Sequence, residues 1–201
     1  MLLMRKKETS EEKSVKLVAY TIILYISSFF VPFVIVASFQ SLVYFSRSQW
    51  FFATPFSAYI TFMAGMFYIA VVFTIFLIFR QKWDGNNFKI ITGLLLLISI
   101  PAFYFSLTNY YYLDDKGVHY NSLMSVNEKE YKWENVHTVH IVYRNHQGTV
   151  SNYQYKFELN NGSIITLPYD DKFAENVGRI EDKIQQFGIT VKDNFKNPVM
   201  D

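Results

Sequence analysis

Three long apolar stretches crowd into the first 108 residues, and a chain built this way has few ways to fold in water. The first covers about residues 17–39 and carries no ionisable group other than its tyrosines. As a helix its 23 residues would rise about 34 Å, enough for a hydrocarbon core of about 30 Å. The second covers about 56–79. The third, about 90–107, is near the minimum for a crossing. A cleaved signal peptide has an apolar region of only about 7–15 residues, so the first stretch is read as a retained helix. Pro32 and Pro101 should kink their helices. Trp50, Trp83 and Tyr110-Tyr111-Tyr112 fall just outside the stretches, where amphipathic rings favour the headgroup layer.

None of the three stretches contains Asp, Glu, His, Lys or Arg, the groups that proton and ion pathways use inside a membrane. Ser27, Ser28, Thr61, Thr74 and Ser99 are expected to bond back to their own helix or to a neighbour. Residues 1–108 therefore read as a three-helix transmembrane anchor in a lipid bilayer. The amino-terminal tail and the Arg80–Lys89 loop hold eight basic residues, against Arg47 alone in the first loop. Positive charge flanks spans on the cytoplasmic side. The amino terminus is thus expected in the cytoplasm and the domain after the third span outside it.

Charge also separates the halves. Nine basic and four acidic residues precede Tyr110, and ten basic and thirteen acidic follow, so the halves carry +5 and −3. A slightly acidic soluble half is a poor ligand for phosphate backbones, which excludes nucleic acid as a partner. The chain has no cysteine, which removes disulfides, Cys-ligated zinc and thiol catalysis.

Residues 109–201 read as a separate domain, with strands over about 110–167 and one helix over about 172–187. Tyr110–Leu113 and Val118–Asn121 flank a turn, Asp114-Asp115-Lys116-Gly117, with glycine at its end. Glu128–Lys132 is a polar edge strand, Trp133–Val136 a turn, and His137–Arg144 a strand with Val139, Ile141 and Tyr143 on one face. Tyr153–Leu159 alternates perfectly and leads through Asn160-Asn161-Gly162 into Ser163–Leu167. A two-residue loop would pair Phe157 with Thr166. A three-residue loop with Gly162 left-handed at a bulge pairs Phe157 with Ile165 and Tyr155 with Leu167. The second keeps apolar beside apolar and is preferred. Asp171 is the expected N-cap of the helix, with Asp170 beside it. Phe173, Val177, Ile180, Ile184 and Phe187 make its apolar stripe, and Gly188 its C′ residue.

Short antiparallel strands closed by one amphipathic helix follow the pleckstrin-homology-like (PH-like) order. The segments 113–118 (LDDKGV), 131–139 (YKWENVHTV) and 159–163 (LNNGS), with the terminal helix, resemble the PH-like domains of bacterial membrane proteins. The resemblance implies an α+β fold: the anchor, then a small antiparallel sheet or partly open barrel capped by one C-terminal helix. Trp133, Gly117, Gly162, Phe173, Ile180 and Ile184 are then structural. It implies a non-enzymatic module for protein or peptide contact near the bilayer, without cofactor. From the resemblance alone comes a role in envelope stress or tolerance of membrane-active peptides. An accessory subunit of a larger membrane transport complex is the alternative. Relatives that bind phosphoinositides use a basic loop between the first strands. Here the loop 121–127 has no Lys or Arg, which argues against that ligand.

Other chemistry finds little in the residues. His137 and His140 are three apart on a strand and should face opposite ways, the wrong geometry for a shared metal. Asp114/Asp115 and Asp170/Asp171 fit a turn and a helix start better than an acid–base pair. Asn161-Gly162-Ser163 matches a glycosylation acceptor that its hairpin explains. The polar loop at Asn145, His146, Gln147, Gly148 and Thr149 is the candidate binding loop, because loops on rigid sheets carry recognition.

Overall fold

The computed structural model describes residues 2–80, 82 and 85–200, with side chains except those of 2–11 and 13. Trp83 lies outside the described residues. Contacts divide the chain into two compact units. One holds the chain up to Phe45, Thr54–Tyr110 and Asn121–Asn127. The other holds Ser46–Ala53, Tyr111–Tyr120 and the chain from Glu128.

The first unit is helical: α1 (Leu2–Ser27), α2 (Val31–Val43), α3 (Phe56–Phe79), α4 (Asn86–Leu97) and α5 (Ser99–Thr108). The first apolar stretch is not one kinked helix. It breaks at residues 28–30, and the axes of α1 and α2 differ by 68°. Pro32, in the first turn of α2, has no N–H to return to the Ser28 carbonyl. A milder interruption at Ile98, three residues before Pro101, separates α4 from α5. By length and composition, α3 and the span Asn86–Thr108 can each cross a membrane; the bent α1–α2 pair is a third candidate.

The five hydroxyls expected to bond locally do so: Ser27 to Leu24 O, Ser28 to Tyr25 O, Thr61 to Ser57 O, Thr74 to Ala70 O and Ser99 to Leu96 O. Such bonds satisfy hydroxyls that lipid could not. A small core of Val36, Ala58, Phe62 and Met66 holds α2 to α3. Gln40 ties the helix ends together. Its Nε2 donates to the carbonyls of Ser106, Leu107 and Asn109 at 3.1, 3.3 and 2.8 Å, and its Oε1 accepts from the Thr54 hydroxyl at 2.7 Å.

The second unit is α+β. One sheet has the order β1 (Phe51–Ala53), β2 (Tyr110–Leu113), β3 (Gly117–Asn121) and β4 (Lys129–Lys132). The other contains β5 (Val136–His146), β6 (Thr149–Leu159), β7 (Ile164–Pro168), β8 (Thr190–Asp193) and β9 (Val199–Met200), with the order β7-β6-β5-β8. Neither sheet is closed, so the expected partial barrel is replaced by two open sheets over one core. β8 and β9 run parallel to β5, which also corrects the all-antiparallel expectation.

Phe157 pairs with Ile165 and Tyr155 with Leu167, the preferred register, with Gly162 at φ +79°. The terminal helix is split into α6 (Asp171–Ala174) and α7 (Val177–Phe187). Its N-cap is Asp170, not Asp171: the Asp170 carboxylate accepts from Phe173 N at 2.8 Å. Gly188 closes α7 in the left-handed region. Phe173, Ile180 and Ile184 are buried with Trp133 in the core, but Phe187 at the end of the stripe remains exposed.

β1 was not expected. Phe51 and Ala53 pair with Leu113 and Tyr111 and enter the core. Trp50, read from sequence as a headgroup anchor, packs against this core, stacked 6.2 Å from Trp133 with the Arg179 guanidinium 6.0 Å from its ring. Tyr111 is buried there too.

Candidate functional site

The turn between β2 and β3 organises the most polar part of the second unit. Asp114 Oδ1 accepts from the backbone N–H of Lys116 at 2.8 Å and Gly117 at 3.1 Å. The Asp114 carbonyl accepts from the Trp133 indole N–H at 3.0 Å. Asp114 therefore serves the turn, as expected. The same carboxylate oxygen also lies 3.1 Å from His119 Nε2, while His119 Nδ1 lies 3.1 Å from Glu128 Oε1. The imidazole is 4% exposed and stacks on Tyr112 at 4.2 Å, and the Tyr112 hydroxyl donates to Glu128 at 2.7 Å. Burial and the hydrogen bond to Glu128 push the Tyr112 phenol well above its ordinary pKa.

This clamp was missed from sequence, because Glu128 lies nine residues from His119 beyond an irregular loop. Its two carboxylates sit on opposite ring nitrogens, so they bracket the ring and cannot converge on one ion. Among the described residues no group of three or more His, Asp or Glu could hold a metal.

Beside the turn lies a cleft of about 490 Å³ lined by Asp115, Lys116, Glu130, Lys132, Trp133, Glu134 and Phe187. β4 supplies Glu130 and Lys132 to this cleft and is the outer strand of its sheet, with no strand on its far edge. Its apolar lining comes from Trp133, which is fully buried, and Phe187, which is exposed; the other lining residues are charged. Lys183 pairs with Asp115 at 3.2 Å. A cleft with apolar and charged lining of both signs beside an outer strand can receive a side chain of an extended segment while the strand edge offers main-chain hydrogen bonds.

The candidate loop at 145–149 is a tight hairpin end. His146 pairs with Thr149 across Gln147 and Gly148, both at positive φ (51° and 86°), a two-residue turn. Asn145 Oδ1 accepts from Gly148 N at 2.9 Å. The loop is thus an ordered extension of β5 and β6. Gly162 sits at its turn with positive φ, but Gly117, expected to supply positive φ at the end of the first turn, is instead the extended first residue of β3, and what needs glycine there is the close approach of the Tyr131 backbone. Elsewhere on the sheet His140 Nε2 lies 2.9 Å from Glu158 Oε2, and that hydrogen bond holds the Glu158 carboxyl below its ordinary pKa.

No family model, curated protein or solved structure matches the chain.

Proposed function

We propose that this chain is a non-enzymatic multi-pass membrane protein whose three-helix anchor holds a PH-like interaction module at the bilayer. What carries the reading is the progress of α1 and α2 along α3. The Tyr25 hydroxyl meets the Thr74 hydroxyl at 3.1 Å, the Phe33 ring lies 4.9 Å from Tyr59, and Gln40 reaches Thr54 at 2.7 Å. From Thr74 back to Phe56 is about 27 Å of helix. The bent pair therefore travels nearly the whole length of α3 in the opposite direction. A re-entrant pair would enter and leave at one end of α3, so the progress favours a broken crossing. Much of the helical apolar surface is bare, Leu42 at 85% and Phe30 at 70% exposed, as lipid contact requires.

With the basic flanks inside, the amino terminus is cytoplasmic and the module faces outward. The succession of strands and helix from Tyr110 to Phe187 supports the PH-like assignment; the parallel β8 falls beyond that match. The contact surface is the free edge of β4 with its neighbouring cleft, a place for an extended peptide.

The chain contains no cysteine, so single cysteines report location cleanly. Ser48→Cys and Lys172→Cys should react with a membrane-impermeant maleimide on intact cells. Asn86→Cys and Ser14→Cys should react only after permeabilisation. Labelling of Ser14→Cys and Asn86→Cys from opposite sides would show a re-entrant pair and overturn the reading.

A further inference from the structure

We infer that the loop joining β3 to β4, residues 121–127, dips its apolar tip into the interfacial layer of the bilayer that holds the helices. By its contacts the loop belongs to the helical unit, although the strands it joins lie almost entirely in the other. It carries no charged residue. At its tip Met124 is 77% and Val126 67% exposed. The Ser125 N–H donates to the Ser122 carbonyl at 2.9 Å, closing a turn in which Met124 takes φ +70°. That third turn position favours glycine or asparagine, and other residues are strained there. A methionine at such a place is strained and, in water, bare as well. Lipid removes the second penalty, and an unbranched, polarizable side chain adapts readily to it.

The depth of the loop follows from the path of the chain. Three helix ends meet at one level. Gln40, near the end of α2, donates to the carbonyls of Ser106, Leu107 and Asn109 at the end of α5. Asn109 Nδ2 in turn donates to Ser57 Oγ, in the first turn of α3, at 2.8 Å. Leu42 and Val43 stand bare at this end of α2, so the surface that asks for lipid reaches that level. β2 leaves α5 there and β3 returns beside it. The bond from Asp114 N to the Gly117 carbonyl and the Tyr112–His119 and Tyr111–Tyr120 ring contacts set one register, which puts Asn121 opposite Tyr110. Tyr110 lies two residues past Thr108, the end of α5, which is at most about 7 Å of extended chain. The headgroup layer is about 5–8 Å thick on each side of the hydrocarbon. The loop therefore starts inside that layer, with its serines and Asn127 suited to headgroups and its Met124 and Val126 to the acyl boundary.

This inference rests on the membrane-anchor reading, and its test separates the two. The chain has no cysteine, so an environment-sensitive dye is placed singly at Met124→Cys, Val126→Cys or Leu42→Cys in the full chain, reconstituted in liposomes. Lipids with a nitroxide high on the acyl chain should quench the dye at 124 and 126 about twofold or more, and aqueous iodide should reach it about threefold less well than the same dye on glutathione. The dye at Leu42→Cys, on the bare side of α2, should be quenched by the same lipids. Lipid quenching at 42 with free iodide access at 124 and 126 overturns the inference and leaves the anchor standing. Absence of lipid quenching at all three positions overturns both. Protection from iodide without lipid quenching assigns the loop to a protein contact and overturns the inference too. With the dye moved to Asn127→Cys, adding Met124→Asp and Val126→Asp should raise iodide access about threefold. Unchanged access would show that these two side chains do not hold the loop in lipid, and refutes the inference.

Discussion

Gly117 offers the sharpest test of the packing described for the second unit. A methyl group there would lie 2.1 Å from the Tyr131 carbonyl oxygen and 2.8 Å from Lys132 Cα, where real contacts stay beyond 3.0 Å. The obstacle is backbone, so no side chain can swing away. β4 would have to retreat by about 1 Å, and the next bond along, Trp133 N–H to the Lys116 carbonyl at 3.2 Å, would go with it. Overpacking of this kind costs about 1–3 kcal/mol, and a lost hydrogen bond about 1 more. Gly117→Ala should therefore cost about 2–4 kcal/mol, roughly one and a half to three powers of ten in the opening equilibrium. Hydrogen exchange of the Lys129–Lys132 amides reads this in the full chain without assuming that two units unfold together. Acceleration of less than about threefold would refute the close approach. Gly178→Ala, in α7 with open space around it, is the control and should stabilise the helix by up to about 1 kcal/mol.

Asp114→Ala removes an acceptor shared by two backbone N–H groups and His119, so it should destabilise the second unit by about 2–3 kcal/mol, measured by exchange over Asp114–Asn121. Gln40→Ala orphans three carbonyls at the helix ends and should lower the melting temperature of the detergent-solubilised chain, while Val43→Ala, on the exposed side of α2, should leave it unchanged. His140→Ala should return the Glu158 pKa, followed by carboxyl NMR, towards its ordinary value. The pair's contribution is present above the ordinary carboxyl pKa and is lost as pH falls through the depressed one. Burial pushes the Tyr155 phenol up to about 12, so its contribution is complete below about 10 and is lost as pH rises to 12; absorbance at about 295 nm should show that delayed ionisation.

Local rules carried the sequence reading furthest where chemistry and partner lay close together. Alternation in Tyr153–Leu159 and the apolar match across Gly162 predicted a register the structure reproduces. Gly188 was identifiable because a helix end asks for a left-handed residue. The apolar stretches were visible from length alone and Pro32 marked where the first is interrupted, but the 68° angle between α1 and α2 is written in no local residue pattern. Three residues, Phe51–Ala53, cannot announce a strand when their partner follows three helices later. β8 and β9 have no apolar alternation of their own and form because β5 offers them an edge. The cleft was illegible for the same reason: Phe187 and Glu130 meet only once the helix has folded back. The His119 clamp needed the loop geometry, which no periodicity encodes.

The strand taken from between α2 and α3 has a practical and a biosynthetic consequence. Phe51, 2% exposed, belongs to the hydrophobic centre of the α+β unit although it is made long before the rest. A ribosome producing this chain releases that tripeptide early, and it must wait until Tyr111–Leu113 emerge. Cutting the gene at residue 109 would yield a polypeptide missing one wall of its own interior, open along β2 and prone to self-pairing. Supplying the 46–53 peptide in trans should rescue such a fragment, as a missing plank restores a hull.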